Sequence, residues 1–287
     1  MSAPALPEVS LGNVKVSRLM VGGNPFSGNS HRTTELSEEM LDYYTTERIK
    51  ADLWECERCG ITAAQLRGDG HIRRLLREYW NEGGKIKWLA QSAPEMADFA
   101  THVKQVKSWG ASAMYIHGGV ADGLFSEGRA SELHEQLKLL RDQGIPIGLG
   151  AHRPQLVEEA ESQGWDLDFY VCCFHNLSRT PHESFLATGR VSDERFVPDD
   201  PARMCHTIRH VAKPVVAFKV FGAGRRCDTP DGAREALEFA YGNIKPTDAV
   251  TVGVFTKHSN QIAENAEIVR DLLSAQVAKA DSSLRSE

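Results

Sequence analysis

Short apolar runs alternate along the chain with longer segments of helical periodicity. The clearest run, Ser112 to Gly119, contains no charged residue and ends on His117 followed by two glycines. An uncharged run of this length is typical of a parallel strand that is buried on both faces. Because glycine lets the backbone turn away after the strand, we interpret His117 as a side chain delivered to a site at the strand end.

Two later runs end in the same way. The apolar run from Ile147 ends in His152, and the run from Phe169 ends in His175. Parallel strands that follow one another along the chain lie side by side in a barrel, with their carboxyl ends at one face. The pattern therefore predicts three imidazoles near one another at that face.

Strands and helices alternate over the whole chain. The predicted strands are 19–23, 61–65, 87–91, 112–117, 147–152, 169–175, 214–221 and 249–253. The predicted helices are 35–59, 72–82, 96–109, 130–142, 154–163, 201–211, 229–241 and 259–279. This alternation predicts an α/β fold with a parallel sheet, closed into a TIM (β/α)8 barrel that spans 1–287 as one domain.

Three segments lie outside this repeat. Residues 11–17, with Gly12-Asn13 as the turn, are predicted to form an N-terminal hairpin that caps the barrel. The polar connection 178–200 is long for a barrel, so we expect it to act as a lid over the site. Residues 280–287 are expected to form a flexible tail.

Composition and charge narrow the range of partners. The chain has 287 residues, of which 41% are hydrophobic and 25% charged, and its formal net charge is -6. A mildly acidic chain does not favour nucleic acid or an anionic membrane as the partner. The sequence shows no signal-peptide pattern and no apolar run near the roughly 20 residues that span a bilayer. We expect a small-molecule substrate.

The cysteines indicate a reducing, cytoplasmic environment. Six cysteines are sparse and irregularly spaced, unlike a disulfide framework. Cys56 and Cys59 have the CxxC spacing of some zinc and redox sites. Because they end a helical segment and no second pair follows, we interpret them as partly buried thiols with a structural role.

Four segments, in order, resemble the aldo-keto reductase superfamily. They are the hairpin and first strand at 11–26, the fifth strand and helix at 147–160, the segment at 174–179 and the C-terminal segment at 253–265. The resemblance implies a barrel of the aldo-keto reductase type and NADPH-dependent carbonyl reduction. That chemistry uses a tyrosine, a lysine, an aspartate and a histidine.

Most of the residues needed for this reduction are missing. Only the histidine is matched, by His117, whereas Gln91 replaces the lysine and no tyrosine follows the second strand. Gly150 and Ala151 stand where the superfamily has a Ser-Asn pair that holds the nicotinamide. Neither makes those hydrogen bonds, and a buried amide left unpaired costs roughly 1–3 kcal/mol. We therefore expect the fold to be retained without hydride transfer.

The strand-end histidines are candidates for a metal site. We interpret His117, His152 and His175 as ligands of a divalent metal ion of the zinc or manganese type. In the alternative interpretation His117 binds a carbonyl, and the other two are partly buried histidines paired with neighbours. A shift of one residue turns a side chain to the other face of a strand, so both interpretations stay open.

Lys219 is the second candidate for chemistry. It lies in the apolar strand 214–221, where burial favours the neutral amine that is needed for a base. It is also a candidate for a Schiff base with a keto substrate, or for an ion pair in the lumen. The segment Gly222 to Arg226 either holds an anion or hydroxyl groups, with Arg225 as a binding cation, or is a plain loop.

Polar residues end the first three strands. Neutral or cationic hydrogen-bonding groups suit a polyhydroxylated ligand, although ordinary polarity of the lumen is the alternative. These residues are Asn24, Gln65, Arg67 and Gln91.

The leading hypothesis from the sequence is a non-redox, metal-dependent enzyme that acts on a sugar or keto-sugar. It would abstract a proton next to a carbonyl, as a lyase, isomerase or epimerase. The metal would polarise the carbonyl, with Lys219 or a histidine moving the proton. Two alternatives stay open: an NADPH-dependent aldo-keto reductase with a rearranged site, and a non-catalytic ligand-binding barrel.

Overall fold

A short antiparallel hairpin opens the chain and closes one end of the molecule. The computed structural model describes residues 5–93, 95, 98–179, 188–192 and 194–284, and its first two strands, Glu8–Leu11 (β1) and Val14–Ser17 (β2), pair with each other. Leu11 and Val16 pack into a buried cluster with inward-facing residues of the barrel strands. The hairpin therefore caps the barrel, as predicted.

The barrel itself consists of eight parallel strands, and the last strand pairs with the first. Their order around the barrel follows the chain, which confirms the predicted TIM barrel. The interior of each strand is uncharged because parallel strands in a barrel bury both faces. The bounds are Leu19–Gly22 (β3), Ala63–Arg67 (β4), Lys87–Gln91 (β5), Ala113–Ile116 (β6), Ile147–Ala151 (β7), Phe169–Cys173 (β8), Val215–Phe218 (β9) and Ala249–Gly253 (β10).

Helices surround the barrel and bury their apolar faces against it. Within the described residues, none of them has the length and apolar character needed to cross a membrane. The bounds are Thr34–Tyr43 (α1), Thr46–Arg58 (α2), Gly70–Asn81 (α3), Phe99–Ser108 (α4), Gly118–Ser126 (α5), Ala130–Arg141 (α6), Pro154–Ser162 (α7), Asp200–His210 (α8), Pro230–Asn243 (α9) and Gln261–Leu284 (α10).

The helices differ from the prediction in three places. The segment predicted as one helix over 35–59 forms both α1 and α2, because the Thr45 side chain accepts a hydrogen bond from the Arg48 amide and caps a second helix. The short helix α5 was not predicted, since its several glycines disfavour a helix. The helix α10 extends to Leu284, into the segment 280–287 that was predicted to be a flexible tail. Residues 285–287 lie outside the described part.

Candidate functional site

A cavity of about 1100 Å³ opens at the carboxyl ends of the barrel strands. This is the face where TIM-barrel enzymes hold their active sites. His175 and Arg225 are absent from the wall of this cavity. The predicted site residues that do line it are Asn24, Gln65, Arg67, Gln91, His117, His152 and Lys219.

The long connection after β8 also contributes to the cavity. Val191, Ser192 and Glu194 lie on its wall. This position is the one expected for a segment that covers the site. Residues 180–187 and 193 of the predicted lid over 178–200 lie outside the described residues.

The cavity wall near β7 carries a histidine that a buried aspartate holds in place. His152 Nδ1 lies 2.8 Å from Asp122 Oδ2, and the His152 amide donates to the same oxygen at 2.9 Å. The Ser178 hydroxyl donates to Asp122 Oδ2 at 2.7 Å, and Asp122 is only 1% exposed. Because the carboxylate accepts the Nδ1 proton, the lone pair of the imidazole lies on Nε2. The pair has the arrangement of a general base with an orienting acid.

The approach of this ring to the backbone requires glycine at the start of α5. A Cβ atom added at Gly118 would lie 2.9 Å from His152 Cε1, closer than side chains pack. Gly118 therefore leaves room for the His152 ring. The position of this histidine depends on both the glycine and Asp122.

A second polar group lies around Lys219 at the end of β9. Lys219 Nζ lies 3.2 Å from His31 Nε2, and His31 Nδ1 lies 2.8 Å from Glu194 Oε1. Asn24 Nδ2 also approaches His31 Nε2, at 3.2 Å. The Glu194 side chain is 4% exposed and that of His31 is 21% exposed. A lysine, a histidine and a buried carboxylate thus form a chain of hydrogen bonds at the cavity wall.

The backbone of this group is strained. His31 has a φ of 55° and Lys219 a φ of 56°, both in the left-handed region. A residue with a Cβ atom pays roughly 1–2 kcal/mol for this conformation. Strain of this kind clusters at functional sites, where the surrounding structure maintains it.

A phenol in the barrel lumen also lines the cavity. The Tyr115 hydroxyl accepts a hydrogen bond from Gln65 Nε2 at 2.5 Å, and Tyr115 is 2% exposed. Burial raises the pKa of the Tyr115 phenol well above its usual value, so the hydroxyl keeps its proton. The sequence analysis expected a tyrosine only after the second strand, so the phenol of Tyr115 in β6 was not predicted.

The remaining predicted binding residues have different surroundings. Arg67 forms ion pairs with Asp69, at 3.2 Å, and with Glu95. His117 Nδ1 accepts a hydrogen bond from the Gly119 amide at 3.1 Å, which places it at the N-terminus of α5. Gln91 lines the cavity without a more specific role in the described contacts.

Arg225 does not bind at the cavity as predicted. Its guanidinium lies 3.9 Å from the ring centre of Phe196 and donates to the His31 carbonyl oxygen at 3.0 Å. Arg225 therefore supports the loop that carries His31. Arg225 contacts residues beside the cavity but does not line it.

The described residues do not bring the three histidines of the predicted metal site together. His175 lies off the cavity, with its ring centre 4.9 Å from that of Phe196, and burial lowers the pKa of His175 to about 4. Neither of its ring nitrogens has a hydrogen-bond partner among the described residues. Throughout the described ranges, no group of three or more His, Cys, Asp or Glu side chains is arranged to hold a metal ion. A requirement for a metal ion stays a prediction, and the described residues offer no set of ligands for it.

The comparison with known proteins does not assign this chain to a family. No model of a known protein family matches the chain, and no curated protein matches it. Solved structures match in fold. A truncated 3-deoxy-D-arabino-heptulosonate 7-phosphate synthase from Thermotoga maritima is 12% identical over 97% of this chain and 94% of that chain, with a TM-score of 0.53.

Two further structures are similar to the same extent. The 7,8-dihydropteroate synthase from Vibrio fischeri ES114 is 9% identical over 94% of this chain and 98% of its own, with a TM-score of 0.52. The apo form of Gox0644 is 10% identical over 94% of each chain, with a TM-score of 0.55. At these identities the likeness shows the barrel fold alone.

These findings overturn the assignment to the aldo-keto reductase superfamily. The enzymes that the matched structures name are the two synthases, and no family model supports the superfamily. The four resembling segments are short and do not establish the superfamily.

Proposed function

We propose that the protein is an enzyme that abstracts a proton from the carbon next to a carbonyl in a small polyhydroxylated substrate, such as a sugar or keto-sugar. The reaction would be an elimination, an isomerisation or an epimerisation. One observation carries the proposal: a histidine held by a buried aspartate lines a large cavity at the carboxyl-terminal face of the barrel. A TIM barrel offers this face for catalysis.

In this proposal His152 is the base. Asp122 accepts the Nδ1 proton at 2.8 Å, so Nε2 carries the lone pair that takes the proton from carbon. Asp122 also stabilises the imidazolium that forms. The same group returns the proton to the neighbouring carbon or oxygen, which completes the isomerisation.

The negative charge that develops on the carbonyl oxygen needs hydrogen-bond donors. Tyr115 and Lys219 both line the cavity and both have protons to donate. The phenol of Tyr115 stays protonated because of its burial. These donors take the role that the sequence analysis gave to a metal ion.

The amide side chains at the ends of the first barrel strands support a carbohydrate-like substrate. Asn24, Gln65 and Gln91 offer amide donors and acceptors to the cavity, which suit hydroxyl groups. The cation beside them, Arg67, is paired with Asp69 and Glu95. A substrate with many hydroxyl groups suits this part of the lining.

Hydrogen exchange in deuterated water tests the proposal. We would incubate the protein with a panel of aldoses and ketoses and follow, by NMR, the loss of the C–H signal next to the carbonyl. His152→Gln should slow the exchange by roughly 10²- to 10⁴-fold, the usual contribution of a general base. His71→Gln, at an exposed position on α3, is the matched control and should leave the rate unchanged.

Absence of exchange with every sugar in the panel contradicts the proposal. Saturable binding without exchange would then favour a non-catalytic ligand-binding barrel. The prediction of a divalent metal ion is tested separately: loss of exchange on treatment with EDTA, restored by zinc or manganese, supports it.

A further inference from the structure

The arrangement around Lys219 is that of an activated nucleophile. Activated nucleophiles in enzymes share a pattern, in which the nucleophile contacts a base and the base contacts a third group that orients it. Here Lys219 Nζ lies 3.2 Å from His31 Nε2, and His31 Nδ1 lies 2.8 Å from Glu194 Oε1. The proposed proton abstraction by His152 uses Lys219 only as a hydrogen-bond donor to the carbonyl oxygen, and an imine would replace that contact by a covalent bond.

The contacts of His31 indicate which of its ring nitrogens can accept a proton from Lys219. An ionised Glu194 accepts only, so His31 donates its Nδ1 proton to it and keeps a lone pair on Nε2. Lys219 Nζ lies 3.2 Å from Nε2 and 3.4 Å from Nδ1, so the lysine contacts the His31 ring, while Asn24 Nδ2 also approaches Nε2 at 3.2 Å. The Glu194 side chain is only 4% exposed, so its carboxylate is held against His31 and orients the ring. His31 is therefore placed to take a proton from the lysine.

We propose that Lys219 forms a covalent imine with the carbonyl carbon of the substrate. The inference rests on the proposed function, because the imine forms at the same carbonyl next to which the proton is removed. It also strengthens that function, since a protonated imine withdraws electrons from the adjacent carbon better than a neutral carbonyl does.

The Lys219 ammonium gives one proton to His31, and the resulting amine attacks the carbonyl carbon to form a C–N bond. His31 returns this proton to the former carbonyl oxygen, which gives the carbinolamine. A second proton moves from nitrogen to His31 and on to the hydroxyl, so that the C–O bond breaks and water leaves. The iminium keeps the remaining N–H proton, and no oxidant or reductant is needed.

The backbone at Lys219 supports a specific role for this lysine. Its φ of 56° is unfavourable for a residue with a Cβ atom, and His31 shares the conformation with a φ of 55°. By contrast, Lys257 has an ordinary surface pairing, in which its Nζ lies 2.6 Å from Glu39 Oε1 and its side chain is 39% exposed. Lys257 is therefore a suitable internal control.

Reductive trapping tests the imine. We would incubate the protein with dihydroxyacetone and sodium cyanoborohydride and map labelled lysines by peptide mass spectrometry. Reduction of the imine adds the mass of the ketone less one oxygen atom. We expect the Lys219 peptide to be labelled at least roughly 10-fold faster than the Lys257 peptide, because only Lys219 has a paired base.

Two variants make the result specific. Lys219→Arg keeps the positive charge but forms no imine, so labelling at position 219 should disappear while Lys257 is labelled as before. His31→Gln keeps Lys219 but removes its base, and should slow labelling of Lys219 by roughly 10-fold or more. His71→Gln should leave labelling unchanged. Circular dichroism of each variant verifies that it is folded.

Deuterium exchange, measured on the same samples, separates the two proposals. Labelling of Lys219 no faster than that of Lys257 overturns the imine; if exchange persists in that case, the proposed function stands without it. Rapid labelling of Lys219 without exchange supports the imine and contradicts the proton abstraction. Absence of both contradicts both.

Discussion

His31 and Lys219 are 188 residues apart in the chain, yet Lys219 Nζ lies 3.2 Å from His31 Nε2. Both residues have a left-handed backbone, with φ angles of 55° and 56°. Packing alone does not require two strained residues in contact, since glycine at either position would relieve the strain. The side chains are therefore the reason that the strain persists.

The strain gives a prediction about stability. Lys219→Gly should have a free energy of unfolding about 1 kcal/mol higher than that of Lys219→Ala, because only alanine retains the unfavourable φ. Urea unfolding of both variants measures the difference. At Lys104, an exposed position within α4, the order should reverse, with glycine about 1 kcal/mol less stable than alanine. The same order at both positions would contradict the strain at Lys219.

The sequence predicted the barrel well because burial determines its pattern. Each strand of a parallel barrel is covered on both faces, so an uncharged run bounded by polar residues marks it. The lining of the site was predicted less well. His117 and His152 come directly after β6 and β7 and line the cavity, whereas His175 is two residues beyond the end of β8 and lies off it. Outside a strand, the alternation of side chains no longer sets direction.

The sequence indicated some of the other site residues and not the rest. Tyr115 could have been found from the sequence, since it lies within the predicted strand that leads to His117. His31 and Glu194 were not, because they lie in irregular segments 163 residues apart and meet only in the folded chain. Asp122 lies on α5, a helix that was not predicted because its glycines disfavour helix formation.

Asp122 should be essential for both the stability and the activity of the protein. Its Oδ2 accepts hydrogen bonds from the His152 amide, from His152 Nδ1 and from the Ser178 hydroxyl. Asp122→Asn replaces one acceptor by a donor inside this buried group, which should lower the free energy of unfolding by roughly 1.5–3 kcal/mol. Deuterium exchange of the substrate should slow by roughly 10²-fold or more, because the amide no longer orients the imidazole.

The control for this variant is Asp166→Asn. Asp166 pairs with Arg141 at 2.8 Å, but its side chain is 77% exposed. A surface ion pair of this kind contributes roughly 0–1 kcal/mol. Equal losses of stability in the two variants, measured by urea unfolding, would show that the network around Asp122 has no special role.

His175 should make the protein sensitive to acid. Burial lowers the pKa of His175 to about 4, below the value of about 6.5 in an unfolded chain. The unfolded state therefore binds the proton more readily, so this stabilisation is complete above about pH 6.5 and is lost as the pH falls towards 4. Between pH 7 and pH 4.5 the free energy of unfolding should fall by roughly 2–3 kcal/mol through this residue.

Unfolding of a His175→Leu variant at the two pH values checks this expectation. The variant should lose less stability between them than the wild-type protein, by the same roughly 2–3 kcal/mol. His71→Gln changes an exposed histidine and should retain the full pH dependence. An unchanged pH dependence in His175→Leu would mean that this imidazole is not held neutral by burial.

Two glycines with opposite surroundings test the packing of the barrel. A Cβ atom at Gly148 in β7 would lie 2.4 Å from Phe169 Cε2, whereas one at Gly242 in α9 would have no described atom within 4 Å. Gly148→Ala should lower the free energy of unfolding by roughly 1–3 kcal/mol because the lumen is overpacked. Gly242→Ala should raise it by roughly 0.5–1 kcal/mol, since alanine favours a helix and meets no obstacle. Thermal and urea unfolding measure both changes, and a Gly148→Ala variant as stable as the wild type would mean that Phe169 does not fill the lumen beside β7.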